Sequence, residues 1–72
     1  MEIEIKGVKY IISTRLVASK KPILFMLKVE QDNTRKYISS LYPTSDVNRF
    51  NFDYGSRSYT IDILAKQITA RR

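Results

Sequence analysis

The chain has 72 residues and a formal net charge of +6, and it contains neither cysteine nor histidine. A chain of this length holds one small domain with a thin core. Without cysteine and histidine there is no disulfide framework, and a zinc site would have to rest on carboxylates alone. No apolar run approaches the roughly 20 residues of a membrane-spanning helix, and the start of the chain lacks the apolar block of a signal peptide. We therefore expect one intracellular domain over residues 1–72, cytoplasmic or nucleoid-associated, with no metal and no cofactor.

Residues 1–12 predict a β-hairpin. Apolar and charged residues alternate along this segment, and Lys6-Gly7 supplies a turn. A two-residue turn at this point brings apolar residues opposite each other and a carboxylate opposite an ammonium group, which is the pairing that stabilises neighbouring strands. A bulge at Gly7 within one long strand is the competing interpretation. The predicted pairs are Ile5 with Val8, Glu4 with Lys9 and Ile3 with Tyr10.

The segment 22–30 predicts a central strand, because it is apolar on both faces until it ends in Lys28 and Glu30. The strand before it is expected to end near Val17, followed by a basic loop, and Asp32-Asn33 predicts the turn into a fourth strand. One face of the central strand carries Ile23, Phe25, Leu27 and Val29, and the other carries Leu24 and Met26. The predicted pairs with the fourth strand are Glu30 with Arg35, Lys28 with Tyr37, Leu27 with Ile38 and Leu24 with Leu41.

Residues 49–62 predict another hairpin, because apolar and polar residues alternate on both sides of Gly55-Ser56. Between the fourth strand and this hairpin, the segment 43–46 predicts a break and a short helical turn over Val47. The predicted pairs in the hairpin are Phe52 with Tyr59, Phe50 with Ile61 and Arg49 with Asp62.

The C-terminal segment fits two periods, since Tyr59, Ile61 and Ile63 follow a strand pattern, whereas Ile61, Leu64, Ala65 and Ile68 follow a helical one. We expect a strand to about Ile63 followed by a short helix or an extended tail. A helix over residues 58–70, capped by Ser58, is the alternative. The predicted fold class is mainly β: a small antiparallel meander of five or six strands, bent or curled into a small barrel, with at most one short C-terminal helix.

The residue types present favour a binding protein over an enzyme. Without histidine and cysteine, the available bases and nucleophiles are carboxylates, lysines, tyrosines and hydroxyls, and the seven acidic residues are scattered. The two glycines form no phosphate-binding loop. The aromatic residues around the 49–62 hairpin alternate with polar ones, so we interpret them as core residues in preference to base-stacking residues. They are Tyr42, Phe50, Phe52, Tyr54 and Tyr59.

Basic residues are concentrated in one part of the chain, because residues 5–29 contain six lysines and arginines and no acidic residue. Such a surface favours polyanionic partners, namely DNA, RNA or an acidic protein face. If one sheet face is open, Arg15, Lys28 and Arg35 line it around Tyr37 and suit phosphates and stacked bases. In the alternative, Glu30 neutralises Arg35 and the lysines only keep the domain in solution. The predicted nucleic-acid-binding residues are Lys9, Arg15, Lys20, Lys21, Lys28, Arg35, Lys36, Tyr37, Arg71 and Arg72.

A second hypothesis is a protein-interaction domain, for instance a small inhibitor or an assembly subunit. It rests on an apolar patch formed by Leu24, Met26 and Leu41 on one face of the sheet, which a chain of this size has little material to cover. The patch would dock on a partner protein or on a second copy of the chain, giving a homodimer.

Overall fold

The computed structural model describes residues 1–16 and 22–71. Within these residues the chain forms seven antiparallel strands, each paired with the next one in sequence. The predicted antiparallel meander is therefore confirmed, with one strand more than the highest expected number. Val17 and the basic loop predicted after it lie outside the described residues. The strands are β1 (Glu2–Ile5), β2 (Val8–Leu16), β3 (Pro22–Val29), β4 (Arg35–Pro43), β5 (Arg49–Tyr54), β6 (Arg57–Asp62) and β7 (Gln67–Arg71).

The hairpins β1–β2 and β5–β6 have the predicted registers, pair for pair. Lys6 and Gly7 both have positive φ angles, 51° and 79°, which is the backbone of a type I′ turn. Gly55 has φ 64° and is the first central residue of its turn, as in type II′. These turn types match the right-handed twist of the strands that they join, so each two-residue loop fixes the register of its hairpin.

The turn between β3 and β4 differs from the prediction, because it holds three residues instead of two. The Asn33 amide donates to the Glu30 carbonyl at 3.0 Å, and the Glu30 amide donates to the Thr34 carbonyl at 2.8 Å. Asn33 adopts a left-handed φ of 67°, and the Asp32 carboxylate accepts hydrogen bonds from the Thr34 amide and hydroxyl. A type I turn followed by a left-handed residue is a common way to close a hairpin of this length.

The longer turn shifts the pairing of β3 and β4 by one residue. Leu24 lies opposite Leu41 as predicted, but Leu27 lies opposite Tyr37 and Lys28 opposite Lys36. The register changes between Met26 and Leu27, so β4 carries one extra residue there, Ile38, in a β-bulge. The predicted pairs Glu30 with Arg35, Lys28 with Tyr37 and Leu27 with Ile38 are therefore wrong.

The segment between β4 and β5 is a turn held by side chains, and the helical turn predicted over Val47 is wrong. The Thr44 hydroxyl accepts from the Asp46 amide at 3.1 Å and lies within hydrogen-bonding distance of the Asp46 and Arg49 carbonyls. The Asp46 carboxylate accepts from the Asn48 amide at 2.9 Å, and the Arg49 amide donates to the Asp46 carbonyl. Val47 is 84% exposed at the tip of this turn.

The C-terminal segment is a strand, a turn and a strand, so both predicted helices are wrong in the described part of the chain. The Asp62 carboxylate accepts hydrogen bonds from the amides of Leu64 and Ala65. Beyond them, Lys66 turns the chain back with a φ of 56°. Ile61 then lies opposite Ile68 in the β6–β7 hairpin. The spacing of Ile61 and Ile68, which fits two turns of a helix, is therefore that of two residues paired across a hairpin.

The sheet curls around one core, to which six of the seven strands contribute a buried side chain. We call the side of the sheet that carries this core the inner face and the opposite side the outer face. On β3 the inner face is that of Leu24 and Met26, whereas the face with Ile23 and Phe25 is only partly covered. The prediction that both faces of this strand are covered is therefore wrong. The buried residues are Ile3, Ile5, Ile12, Met26, Leu41, Phe52 and Ile61.

Asp62 connects the C-terminal turn to β5, and its replacement tests this connection. Its carboxylate accepts the Ala65 amide and also the Arg49 Nε–H at 3.1 Å, and these hydrogen bonds lower the pKa of Asp62 below its ordinary value of 3.8. A lowered pKa stabilises the folded protein above that ordinary value, and the contribution is lost as the pH falls through the folded-state pKa. We expect Asp62→Asn to lower the melting temperature near pH 7, and this difference from the wild-type protein to be smaller near pH 2.5.

Circular dichroism melts at the two pH values measure this effect. Glu4→Gln is the control, because it removes a carboxylate that forms none of the side-chain hydrogen bonds and ion pairs found among the described residues. Equal melting temperatures for wild type and Asp62→Asn near pH 7 would contradict the role assigned to this carboxylate.

Candidate nucleic-acid interface

The structure divides the predicted cationic residues between the two faces of the sheet. Arg15 lines an outer-face cavity with Phe25 and Tyr37. Lys28 and Lys36 line a different cavity, together with the buried Met26 and Phe52. The predicted single surface of Arg15, Lys28 and Arg35 around Tyr37 is therefore wrong. Arg15 lies opposite Ile23, on the outer face, whereas Lys28 follows Met26 on the inner face. The one-residue shift of β4 places Lys36 opposite Lys28 in place of Tyr37. Lys20, Lys21 and Arg72 lie outside the described residues.

Two of the predicted cations are engaged by neighbouring acidic residues. Lys9 Nζ lies 3.9 Å from a Glu2 carboxylate oxygen, so its ion-pair partner is Glu2, although Glu4 lies directly opposite it. Arg71 donates to the Tyr59 carbonyl at 3.2 Å and lies 3.8 Å from the Asp53 carboxylate. Arg71 therefore connects β7 to β5 and β6.

Four of the predicted cations form none of the ion pairs found among the described residues: Arg15, Lys28, Arg35 and Lys36. The alternative in which Glu30 neutralises Arg35 finds no support, because Glu30 lies at the turn, hydrogen-bonded to Thr34, and Arg35 lies opposite Val29. Four cations on β2, β3 and β4 thus remain available to an anionic ligand, divided between the two faces.

On the outer face, three side chains from three strands form a row that we call the outer ladder: Arg15, Phe25 and Tyr37. The guanidinium carbon of Arg15 lies 5.7 Å from the centroid of the Phe25 ring. The Phe25 and Tyr37 rings stack with centroids 6.3 Å apart and an interplanar angle of 30°. Tyr37 is 53% exposed, and its hydroxyl shares a hydrogen bond of 3.2 Å with Ser40. A cavity of about 300 Å³ opens beside the ladder.

Phe25 is the residue of the ladder that sequence reasoning missed. We had interpreted it as part of a covered face, since β3 is apolar on both sides. The available signal was the size of the domain, because a thin core covers one face of an antiparallel sheet and leaves the other in contact with solvent. The aromatic side chain in the middle of the uncovered face of β3 is Phe25.

On the inner face, a cavity of about 260 Å³ opens where the curled sheet meets solvent, and we call it the inner mouth. Lys28 and Lys36 lie directly opposite each other, and Tyr10 is the other cross-strand neighbour of Lys28. Lys36 Nζ lies 5.7 Å from the centroid of the Tyr54 ring. The inner mouth is lined by these four side chains at its rim and by the buried Met26 and Phe52 at its floor.

The environment of the inner mouth changes two pKa values. The Tyr54 hydroxyl, by hydrogen bonding and by its charge when ionised, raises the pKa of Lys36, and the charge of Glu30 adds to this effect. Partial burial raises the pKa of Tyr10. Lys36 therefore stays cationic, and Tyr10 stays a neutral hydrogen-bond donor, over a wider pH range than in water.

The aromatic group predicted for the core is divided between the interior and the surface. Phe52 is buried and stacks on Tyr59 at 5.3 Å, and Phe50 packs against the same core. Tyr42 and Tyr54, in contrast, are 57% and 41% exposed. Core packing is thus correct for three of the five residues.

The predicted apolar docking patch is part of the interior. Met26 is 1% exposed and Leu41 is 3% exposed, and Leu24 packs against the same cluster. The curl of the sheet brings strands β5 and β6 over these residues, so no C-terminal helix is needed to cover them. The patch on which the protein-interaction hypothesis rested is therefore covered by other residues of the same domain.

Comparison of the chain with protein-family models, with curated proteins and with solved structures found no match. The described part of the chain contains no helix of the length and apolarity that crossing a membrane requires. Nor do its acidic side chains gather in a group of three or more that could hold a metal ion.

The position of Met26 gives a direct test of which sheet face is the interior. Because this side chain is 1% exposed, Met26→Lys places an unpaired ammonium group in the core, and we expect a loss of more than about 3 kcal/mol in unfolding free energy. Leu64→Lys is the matched control, because Leu64 is 76% exposed and should tolerate the charge. Urea denaturation measures both variants, and a Met26→Lys protein as stable as the Leu64→Lys protein would show that Met26 faces solvent.

Proposed function

We propose that this protein is a non-enzymatic nucleic-acid-binding module that holds a single strand on the outer face of β2, β3 and β4. The observation that supports the proposal is the outer ladder: two stacked aromatic rings on an uncovered sheet face, with the Arg15 guanidinium over one ring. Aromatic rings on an open sheet stack on unpaired bases, and cationic side chains beside them bind the phosphates between those bases. This role is consistent with an intracellular location, cytoplasmic or nucleoid-associated.

The geometry of the ladder favours single strands over duplexes. In a duplex the flat faces of the bases are covered by their neighbours, so an aromatic side chain gains stacking area only from unpaired bases. Tyr37 presents a ring that is half exposed, and the cavity beside it is bounded by Ile23 and Ser40. A base stacked there would contact an aromatic face, an aliphatic side chain and a hydroxyl group.

Phosphate contacts would come from cations around the ladder. Arg15 and Arg35 are exposed and form none of the ion pairs found among the described residues, so a phosphate would not have to displace a carboxylate from them. Arg35 precedes Tyr37 by two residues on the same face of β4. In sequence, Lys20 and Lys21 follow β2 and add two further positive charges to this part of the chain. The release of counterions from the strand then contributes to affinity.

Binding of a fluorescent single strand of about 12 nucleotides tests the proposal. We expect Tyr37→Ala to weaken binding about 5- to 150-fold, which corresponds to the roughly 1–3 kcal/mol of one stacked base, whereas Tyr37→Phe should bind like wild type. Tyr42→Ala is the matched control, because Tyr42 lies on the same strand with similar exposure and outside the ladder. Fluorescence anisotropy gives the affinities.

The electrostatic part of the proposal has its own measurement. Affinity should fall between about 50 mM and about 200 mM salt, and Arg15→Gln should reduce the slope of log affinity against log salt by about 0.7, the value for one phosphate contact on a single strand. Absent binding at low salt, binding that salt leaves unchanged, or an equal loss in Tyr37→Ala and Tyr42→Ala would each refute the proposal. A preference for the duplex would refute the stacking geometry.

A further inference from the structure

The inner mouth contains a pair of like charges that folding alone does not favour. Lys28 and Lys36 are directly opposite each other on neighbouring strands, an arrangement that destabilises a sheet because the two ammonium groups repel. Neither takes part in an ion pair among the described residues, and the acidic residue that acts on Lys36 is Glu30, whose charge lies too far away to form one. The cost of this repulsion would be removed by an anion bound between the two lysines.

The surroundings of the pair indicate what kind of anion fits. Tyr10 and Tyr54 at the rim carry hydroxyl groups that can donate hydrogen bonds to an anion. Met26 and Phe52 at the floor are buried and apolar, so they offer nothing to a fully hydrated ion. The cavity of about 260 Å³ therefore combines a cationic rim with an apolar floor, as sites for small organic ligands do.

We propose that the inner mouth binds a phosphate monoester attached to an aromatic body, as in a nucleoside monophosphate. A monoester carries a charge between about −1.5 and −2 at neutral pH, which matches two ammonium groups, whereas a carboxylate or an internal phosphodiester carries only one negative charge. The phosphate would lie between Lys28 and Lys36, and the aromatic body would occupy the apolar part of the cavity. The ligand is either a free mononucleotide or the 5′-phosphorylated end of a strand, since both present the same group.

This site is separate from the outer ladder, because the two lie on opposite faces of the sheet. Phe25 belongs to the ladder, and its neighbour in sequence, Met26, belongs to the floor of the inner mouth. The two proposals can therefore fail independently. Tyr37→Ala should weaken binding of a single strand without changing the affinity for a mononucleotide.

Isothermal titration calorimetry with AMP, adenosine and inorganic phosphate as separate probes tests the inner mouth. AMP should bind more tightly than either of the other two, because only AMP fills both the cationic and the apolar parts of the cavity. Lys28→Met and Lys36→Met remove one ammonium group each and keep an unbranched apolar side chain, so each should weaken AMP binding about tenfold or more. Lys66→Asn is the control, since it removes the same charge outside the cavity at a position of positive φ, which asparagine tolerates.

The thermal stability of the same variants separates loss of a binding site from loss of the fold. Because each lysine variant removes a like-charge contact, Lys28→Met and Lys36→Met should melt at or above the temperature of the wild-type protein while binding AMP less tightly. A parallel titration with a single strand, with and without a 5′-phosphate, identifies the source of the ligand. Tighter binding of the phosphorylated strand that depends on Lys36 supports the site with a strand end as its ligand.

Four results would overturn the inference. The first is the absence of binding by both AMP and the 5′-phosphorylated strand. The second is equal affinity for AMP and adenosine, which would show that the phosphate does not contribute to binding. The third is equal affinity for AMP and inorganic phosphate, which would show that the apolar floor does not contribute to binding. The fourth is AMP binding that Lys28→Met and Lys36→Met leave unchanged or that Lys66→Asn weakens to the same extent.

Discussion

The curl of one sheet around its own apolar side chains is the constraint on which the rest of the structure depends. A meander with no helix among its described residues can bury a core only by bending back on itself, and six strands each supply one or two of the seven buried residues. One face of every strand is committed to that core. The outer face of β2, β3 and β4 then has no other described element to cover it, so the exposure of Tyr37 and the partial exposure of Phe25 follow from the topology.

The sequence predicts the register of a hairpin where the turn residues and the strand pattern agree. In β1–β2 and β5–β6, a two-residue turn with a glycine leaves one pairing that brings apolar residues together, and the structure has that pairing. At the C-terminus the apolar pattern fits both a helix and a hairpin. Ile61 and Ile68 are separated by about two helical turns, but the same separation joins them across a hairpin with a four-residue loop. Whether a helix or a hairpin forms depends on the hydrogen bonds of the Asp62 carboxylate and on the positive φ angle of Lys66. The spacing of the apolar residues reveals neither.

The candidate sites were only partly predictable. The sequence gives the charge of each residue, whereas the sheet face on which a side chain lies depends on the strand register. The acid-free segment correctly indicated cations without nearby carboxylates, such as Arg15 and Lys28. The binding hypothesis placed Lys28, which follows Met26 on the inner face, on an open surface with Arg15 and Tyr37. In fact the inner face reaches solvent at its end, where the curl opens, so Met26 can be buried while Lys28 lines the rim of the same cavity.

Both candidate sites depend on a single extra residue in β4. With a two-residue turn, Tyr37 would lie opposite Lys28 on the inner face and Lys36 would point outward. The three-residue turn closed by Asn33 exchanges these two side chains, and the bulge at Ile38 restores the register before the core residues of β4. Strand pairing by itself favours the two-residue turn, with Tyr37 opposite Lys28. The observed register instead places Lys36 opposite Lys28, so that two positive charges face each other. What the observed arrangement produces is an aromatic row outside and a cation pair inside, and β-bulges occur often beside functional sites because they redirect side chains in this way.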